Sequence, residues 1–331
     1  MQNSCLALLL LVTGCGSDPD GTPVELPHAS PGIGFDDLRY SHSLHRVLAP
    51  AGRSGRLDMV DPETLEVTAI EGFSETADFS GGHDDGPTSV EEARGLLFVT
   101  DRTSRRLSSA DPATRKIVGS VDLAAQPDYV RFVEARSELW VTEPDASQIE
   151  IFSLASDPAN PAAITSMPID NGPESLVIDA KRARAYTHHW QASTMVIDTA
   201  TRELVDEWPN GCAASRGIAL DETRGFLFVA CSEGTLSVID VEHGGKIVSF
   251  MAKGAGFDVI GYSPKLSHLY LAGSACDCLL VIRVEQDGAL HFVARFDAPD
   301  EAHCAAADDV GNAWVCDPDG GRLMRVPDPQ R

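Results

Sequence analysis

One short hydrophobic phrase returns along this chain about every 40 to 50 residues. It reads Leu97-Phe98-Val99-Thr100-Asp101, Leu139-Trp140-Val141-Thr142-Glu143, Ala185-Tyr186-Thr187-His188-His189, Leu227-Phe228-Val229-Ala230-Cys231, Leu269-Tyr270-Leu271-Ala272-Gly273 and Ala313-Trp314-Val315-Cys316-Asp317. A degenerate first copy, Arg46-Val47-Leu48-Ala49-Pro50, makes seven. One unit of this size cannot bury its hydrophobic faces alone. Copies with several short strands each stack side by side and close into a propeller. The expected fold is all-β: seven four-stranded antiparallel blades around a central channel, over residues 34–331.

The fifth copy shows the blade most clearly. Gly217–Asp221 reads as the inner strand, Phe226–Ala230 as the second, Thr235–Asp240 as the third and Lys246–Phe250 as the outer. Third strands end in an Asp and a turn, as in Val60-Asp61-Pro62-Glu63-Thr64, Ala110-Asp111-Pro112-Ala113-Thr114 and Ile197-Asp198-Thr199-Ala200-Thr201. There the carboxylate caps backbone amides, so these acids read as structural. The last copy ends at Arg322-Leu323-Met324-Arg325-Val326 without a fourth strand. Pro23-Val24-Glu25-Leu26-Pro27 is the candidate to supply it and cover the open edge. The stretch Glu71 to Gly86, rich in Gly, Ser and Asp, reads as an insertion and a functional loop.

The chain begins with an apolar run, Cys5 to Val12, far short of the roughly 20 residues that span a bilayer. It ends in Val12-Thr13-Gly14-Cys15 and a polar stretch, which resembles a bacterial lipoprotein signal. On that reading 1–14 are a signal peptide, Cys15 is lipidated and 15–33 form a linker. An ordinary cleaved signal peptide is the alternative, and either sends the protein across the inner membrane. With 50 acidic against 26 basic residues the formal charge is −24. Such a surface repels nucleic acid and anionic lipid and suits an exported domain or cationic partners.

Beyond Cys5 and Cys15 six cysteines remain, an even number in an oxidising compartment. Cys304 and Cys316 flank the turn Asp308-Asp309-Val310-Gly311 symmetrically, so a hairpin sets them face to face. Cys212 and Cys231 bracket the corresponding hairpin two blades earlier. For Cys276-Asp277-Cys278, a bridge, free thiols and a soft-metal pair all stay open, since an extended chain separates the two Cα atoms by about 6.6 Å.

The phrases "RGIALDETRGFLFVAC", "GPESLVIDAKRARAYTHHW" and "DDGPTSVEEARGLLFVTDRTSRRL" resemble the YncE-like, YVTN-type seven-bladed propellers of bacteria. The resemblance covers roughly Phe35 to Val326. It implies an exported or surface protein, with roles in relatives from binding to enzyme accessory work.

In a propeller, the residue just ahead of each inner strand faces the channel mouth. Counting twelve back from the second-strand aromatic gives Asp128, Glu174, Arg216 and Asp258. Gly34-Phe35-Asp36-Asp37 parallels Gly256-Phe257-Asp258-Val259, which adds Asp36. Gly86-Pro87-Thr88-Ser89 parallels Gly172-Pro173-Glu174-Ser175, which adds Thr88, and His303 falls there in the last blade. Crowded like charges raise carboxylate pKa values unless a cation compensates. The oxygen ligands of Asp36, Asp128, Glu174 and Asp258 suit Ca²⁺ or Mg²⁺, and His303 admits a transition metal. Solvated or paired charges lining a water-filled channel are the alternative. Loops leaving the second strands add Asp101, Glu143, His188, His189, Cys231 and Asp317 to the same face, and His83-Asp84-Asp85 could cover it.

The chain carries no GxSxG, HExxH or nucleotide-binding loop. The leading expectation is a monomeric, non-catalytic binding or scaffold protein, anchored by Cys15 in the bacterial envelope, at the outer membrane. No nucleic-acid partner is expected, and its acidic mouth would take a cation or small ligand. The alternative is a metal-assisted hydrolase or lyase with His303 or His189 as acid/base.

Overall fold

The computed structural model describes residues 20–331, so the expected signal peptide and lipidated Cys15 lie outside the described residues. Seven antiparallel four-stranded sheets follow one another around an axis. The first blade comprises Arg39–Ser41, Arg46–Pro50, Ser54–Val60 and Val67–Glu75. The fifth comprises Ser215–Asp221, Phe226–Cys231, Thr235–Asp240 and Lys246–Ala252, close to the sequence reading. Among the described residues no helix is long and apolar enough to cross a membrane.

The recurring aromatic sits near the centre of its second strand. Phe98, Trp140, Tyr186, Phe228, Tyr270 and Trp314 are fully buried, and Leu48 takes the place in blade one. Their polar tips are satisfied inside. Trp314 Nε1 donates to Asp308 at 2.8 Å, and Trp140 Nε1 to Glu138 at 3.2 Å. A buried indole without a partner would lose the gain from its own burial.

The ring closes across the two ends of the chain. Thr22–Glu25 pairs with Arg322–Pro327 as the outer strand of the last blade, with Val24 opposite Leu323. The propeller thus begins inside the segment expected to be linker. Pro23 is tolerated because it sits on an edge strand.

The turn acids behave as expected. Asp61 Oδ1 accepts from the Glu63 and Thr64 amides, and Asp198 Oδ1 from those of Ala200 and Thr201. The insertion is shorter than its composition suggested. The outer strand of blade one continues to Glu75, so the irregular part is Thr76–Gly86.

Three disulfides join the six cysteines of the described residues. Cys304 and Cys316 face each other across the last hairpin, their Cα atoms 5.6 Å apart, next to the paired Ala305 and Val315. Cys212 and Cys231 stand 5.5 Å apart. Cys276 and Cys278 are bridged as well: Asp277 adopts a left-handed φ of 45°, which folds the chain and brings the two Cα atoms to 5.2 Å.

Candidate functional site

The channel mouth is made where inner strands begin, and the strands are irregular there. Register slips between Pro87 and Ser89, Glu174 and Val177, Ser215 and Ile218, and Phe257 and Ile260. Each interval contains or adjoins a ring residue. A bulge releases a side chain from strict alternation and re-aims it, which is how an inner strand can present a charge to the axis.

Asp36, Asp128, Glu174, Arg216 and Asp258 line one cavity of about 340 Å³, together with His83, Arg102, Tyr129 and Trp190. His303 lines an adjoining cavity of about 460 Å³ that shares His83, Arg216 and Asp258. Thr88 holds its ring position but is buried. Its hydroxyl lies 3.2 Å from that of Thr100 and 3.5 Å from the Asp128 carbonyl, outside the cavity lining.

The loops leaving the second strands mostly brace the fold. Asp101 accepts from the backbone of Ser74 (2.7 Å) and Ser104 (3.0 Å). Glu143 holds the Ala125 amide at 3.0 Å, and Asp317 holds Gly320 and Arg322. His188 is fully buried beside Thr194, and burial pushes its imidazole down to about 3, so it stays neutral. His189 is half-buried and lines neither mouth cavity. Cys231 is bridged.

Sequence reasoning missed Arg102, the residue immediately after the second-strand Asp101. Its Nη2 pairs with Asp128 and, at 3.1 Å, with Asp36. Its Nε donates to the Pro127 carbonyl at 3.0 Å and its Nη1 to the His83 carbonyl at 2.8 Å. His83, on the Thr76–Gly86 loop, places Nδ1 3.3 Å from Asp36 Oδ2. The loop sits over the mouth because Gly34 lets it: a Cβ there would lie 2.2 Å from the Gly82 carbonyl oxygen and 2.9 Å from His83 Cα. Phe79 of the same loop lies against Gly32, where a Cβ would meet its ring at 2.3 Å.

The acids divide into two kinds. Burial opposes ionisation of Asp36, but His83 and Arg102 outweigh it and hold the carboxyl well below the usual range. Asp128 shares Arg102 with it. Burial and the Asp36 charge push Asp128 up, so the pair keeps one negative charge more readily than two. Asp36 in turn drives His83 up to about 9, against its burial.

Glu174 and Asp258 are the second kind. Neither side chain forms a hydrogen bond or ion pair among the described residues, although Glu174 is only 5% exposed. Burial, Asp128 and Asp258 push Glu174 well above the carboxylate range. Burial likewise raises Asp258, against the pull of His303. Arg216 compensates only at a distance: it stacks 4.9 Å over the Trp190 ring and donates to the Ser215 carbonyl. Two carboxylates without a hydrogen-bond partner among the described residues thus face the cavity.

Of the five residues expected as metal ligands, Asp258 and His303 converge, and His83 joins them, with ligand atoms all within 4.8 Å of one another. Asp36, Asp128 and Glu174 belong to no such convergent group among the described residues. Below the mouth, Tyr129 also lines a third cavity, of about 420 Å³, which opens on the opposite side. Arg131 stacks on Tyr129 at 5.1 Å and grips Asp37 through two bonds, Nη1–Oδ2 at 2.6 Å and Nη2–Oδ1 at 2.9 Å.

No family model and no curated protein matches this chain. Solved structures do. A chain of the mitotic checkpoint complex superposes with a TM-score of 0.74 at 14% identity, covering 99% of each chain. Kuenenia stuttgartiensis hydrazine synthase gives 0.73 at 12%, over 96% of this chain and 99% of that one. The Myceliophteria thermophila Cps50 (Swd1) β-propeller domain gives 0.72 at 12%, over 89% and 96%. At such identities the likeness carries architecture and no chemistry. The chain is a seven-bladed β-propeller.

Proposed function

We propose that this chain is an exported, lipid-anchored propeller of the YncE-like, YVTN type that works as a non-catalytic binding protein. Its acidic mouth takes a small cation. The observation that carries the reading is Glu174, a buried carboxylate without a partner, aimed into a cavity beside the equally unpartnered Asp258. An unpaired buried acid is costly in the empty protein, and that cost is relieved when positive charge arrives. The lipobox-like Val12-Thr13-Gly14-Cys15 supports export and anchoring in the cell envelope.

Calorimetric titration with Ca²⁺, Mg²⁺, Zn²⁺ and small amines tests the binding reading. At least one of these binds stoichiometrically, and Glu174→Gln weakens it. Titrations without heat for every cation would sink the reading. Labelling with a radioactive fatty acid, lost in Cys15→Ser, tests the anchor.

One observation favours a second reading, a metal-assisted hydrolase or lyase. His303 and His83 stand beside Asp258 at the cavity, where a bound ion could polarise a substrate oxygen. His303 is then the acid/base candidate, since His189 lines neither mouth cavity.

A further inference from the structure

We propose that the cation of the mouth is a borderline transition-metal ion of the Zn²⁺ class, held by His83, Asp258 and His303. The proposal rests on the reading that the mouth binds a cation and specifies which ion and which ligands. The three residues come from distant parts of the chain: the blade-two insertion loop, the inner strand of blade six and the segment entering the inner strand of blade seven. Their ligand atoms already lie within 4.8 Å of one another, and all three line the same cavity of about 460 Å³. Ligand atoms around a tetrahedral Zn²⁺ stand about 3.4 Å apart, given metal–ligand bonds of about 2.1 Å. Closing the site therefore needs movements of little more than an ångström.

The contacts of the two imidazoles show what an ion would have to displace. A metal-binding histidine donates its second N–H to a carboxylate or a backbone carbonyl, which fixes its tautomer and orientation. His83 Nδ1 lies 3.3 Å from Asp36 Oδ2 and against the Arg102 guanidinium, which can only donate, while its Nε2 has no hydrogen bond among the described residues and would reach an ion by giving up its proton. His303 has Nδ1 2.7 Å from the Glu301 carbonyl oxygen and Nε2 2.9 Å from that of Phe35. Both nitrogens thus face acceptors, so binding an ion requires one of them to give up its carbonyl and its proton while the other keeps the ring oriented. The rings face each other, with centroids 5.7 Å apart and planes inclined by 33°. Asp258 contributes the carboxylate and has no competing partner among the described residues.

Two imidazoles and one carboxylate favour Zn²⁺, Co²⁺ or Fe²⁺ over Ca²⁺ and Mg²⁺, which take oxygen ligands. The other convergent groups in the described residues, around Cys304–Cys316 and Cys212–Cys231, contain sulfurs already bonded to each other and offer no thiolate.

The test is titration of the oxidised protein with Co²⁺, read by its d–d absorption, and with Zn²⁺, Ca²⁺ and Mg²⁺ by calorimetry. The proposal expects one Co²⁺ per chain, displaced by Zn²⁺. His83→Gln and His303→Gln each weaken binding about 10-fold or more, while His291→Gln, an exposed histidine elsewhere, leaves it unchanged. Circular dichroism and melting curves verify that the variants are folded. If Ca²⁺ binds as well as Zn²⁺ and only Glu174→Gln weakens it, the histidine site is overturned and the cation reading stands. If no ion binds, both fall.

Discussion

Glu174→Gln should make the empty protein more stable, against the usual direction for a substitution at a buried site. The Glu174 carboxyl is pressed by burial first, and then by the Asp128 and Asp258 charges. Its folded-state pKa is raised above the unfolded value of 4.5, so the native chain holds this proton more tightly than the unfolded chain. The associated stability is fully present below pH 4.5 and is lost as pH rises through the folded-state value. Glutamine keeps the shape and removes the charge. Relief of a buried, uncompensated charge is worth about 1–3 kcal/mol. For a domain of this size that corresponds to a Tm increase of roughly 2–6 °C. Thermal and urea unfolding of both proteins, free of divalent ions, at pH 7.5 and pH 4.0 measures it. The gain should appear at pH 7.5 and largely disappear at pH 4.0, below the unfolded value of 4.5, where Glu174 is mostly protonated in both states. A variant that is less stable at pH 7.5, or equally stabilised at both pH values, would refute the electrostatic argument. The same substitution should weaken cation binding, as expected where a site stores strain for its ligand.

Arg102→Met strands Asp36 and Asp128 together in the mouth; urea denaturation should show a loss of about 3 kcal/mol, the cost of breaking a buried ion pair from one side. Val24→Asp puts a carboxylate into the seam opposite Leu323 and should peel the closing strand away, exposing the Arg322–Pro327 edge. Light scattering should then rise with protein concentration, and an unchanged monomer would contradict that role for the strand. Cys304→Ser with Cys316→Ser should cost about 2–4 kcal/mol in chemical unfolding while leaving the fold intact. Gly34→Val collides with the Gly82 carbonyl and should lift the His83 loop, weakening cation binding in calorimetry with little change in melting temperature.

Phe98, Trp140, Tyr186, Phe228, Tyr270 and Trp314 were legible as a ruler because each must fill the same interior space in its own blade, and the repeat preserves that demand. Counting from them located Asp128, Glu174, Arg216 and Asp258 on the cavity wall. The count placed Thr88 on the ring but not the direction of its hydroxyl, which neighbouring Thr100 decides. Arg102 was illegible for a related reason. The repeat marks Asp101 as the end of a strand, but only the three-dimensional loop shows that Asp101 caps backbone amides while the next residue turns to the axis. The Cys276–Cys278 bridge depended on one left-handed residue, Asp277, which no spacing rule encodes. The convergence of His83 with Asp258 and His303 depends on a loop outside the repeat altogether.

Tyr129, backed by the Arg131–Asp37 pair, stands between the acidic mouth and the cavity on the opposite side. A ring with a stoppered axle is two cups set back to back. On the proposed reading, a ligand of the acidic cup would enter and leave by one rim, past the loop that carries His83, and its residence time would be set there.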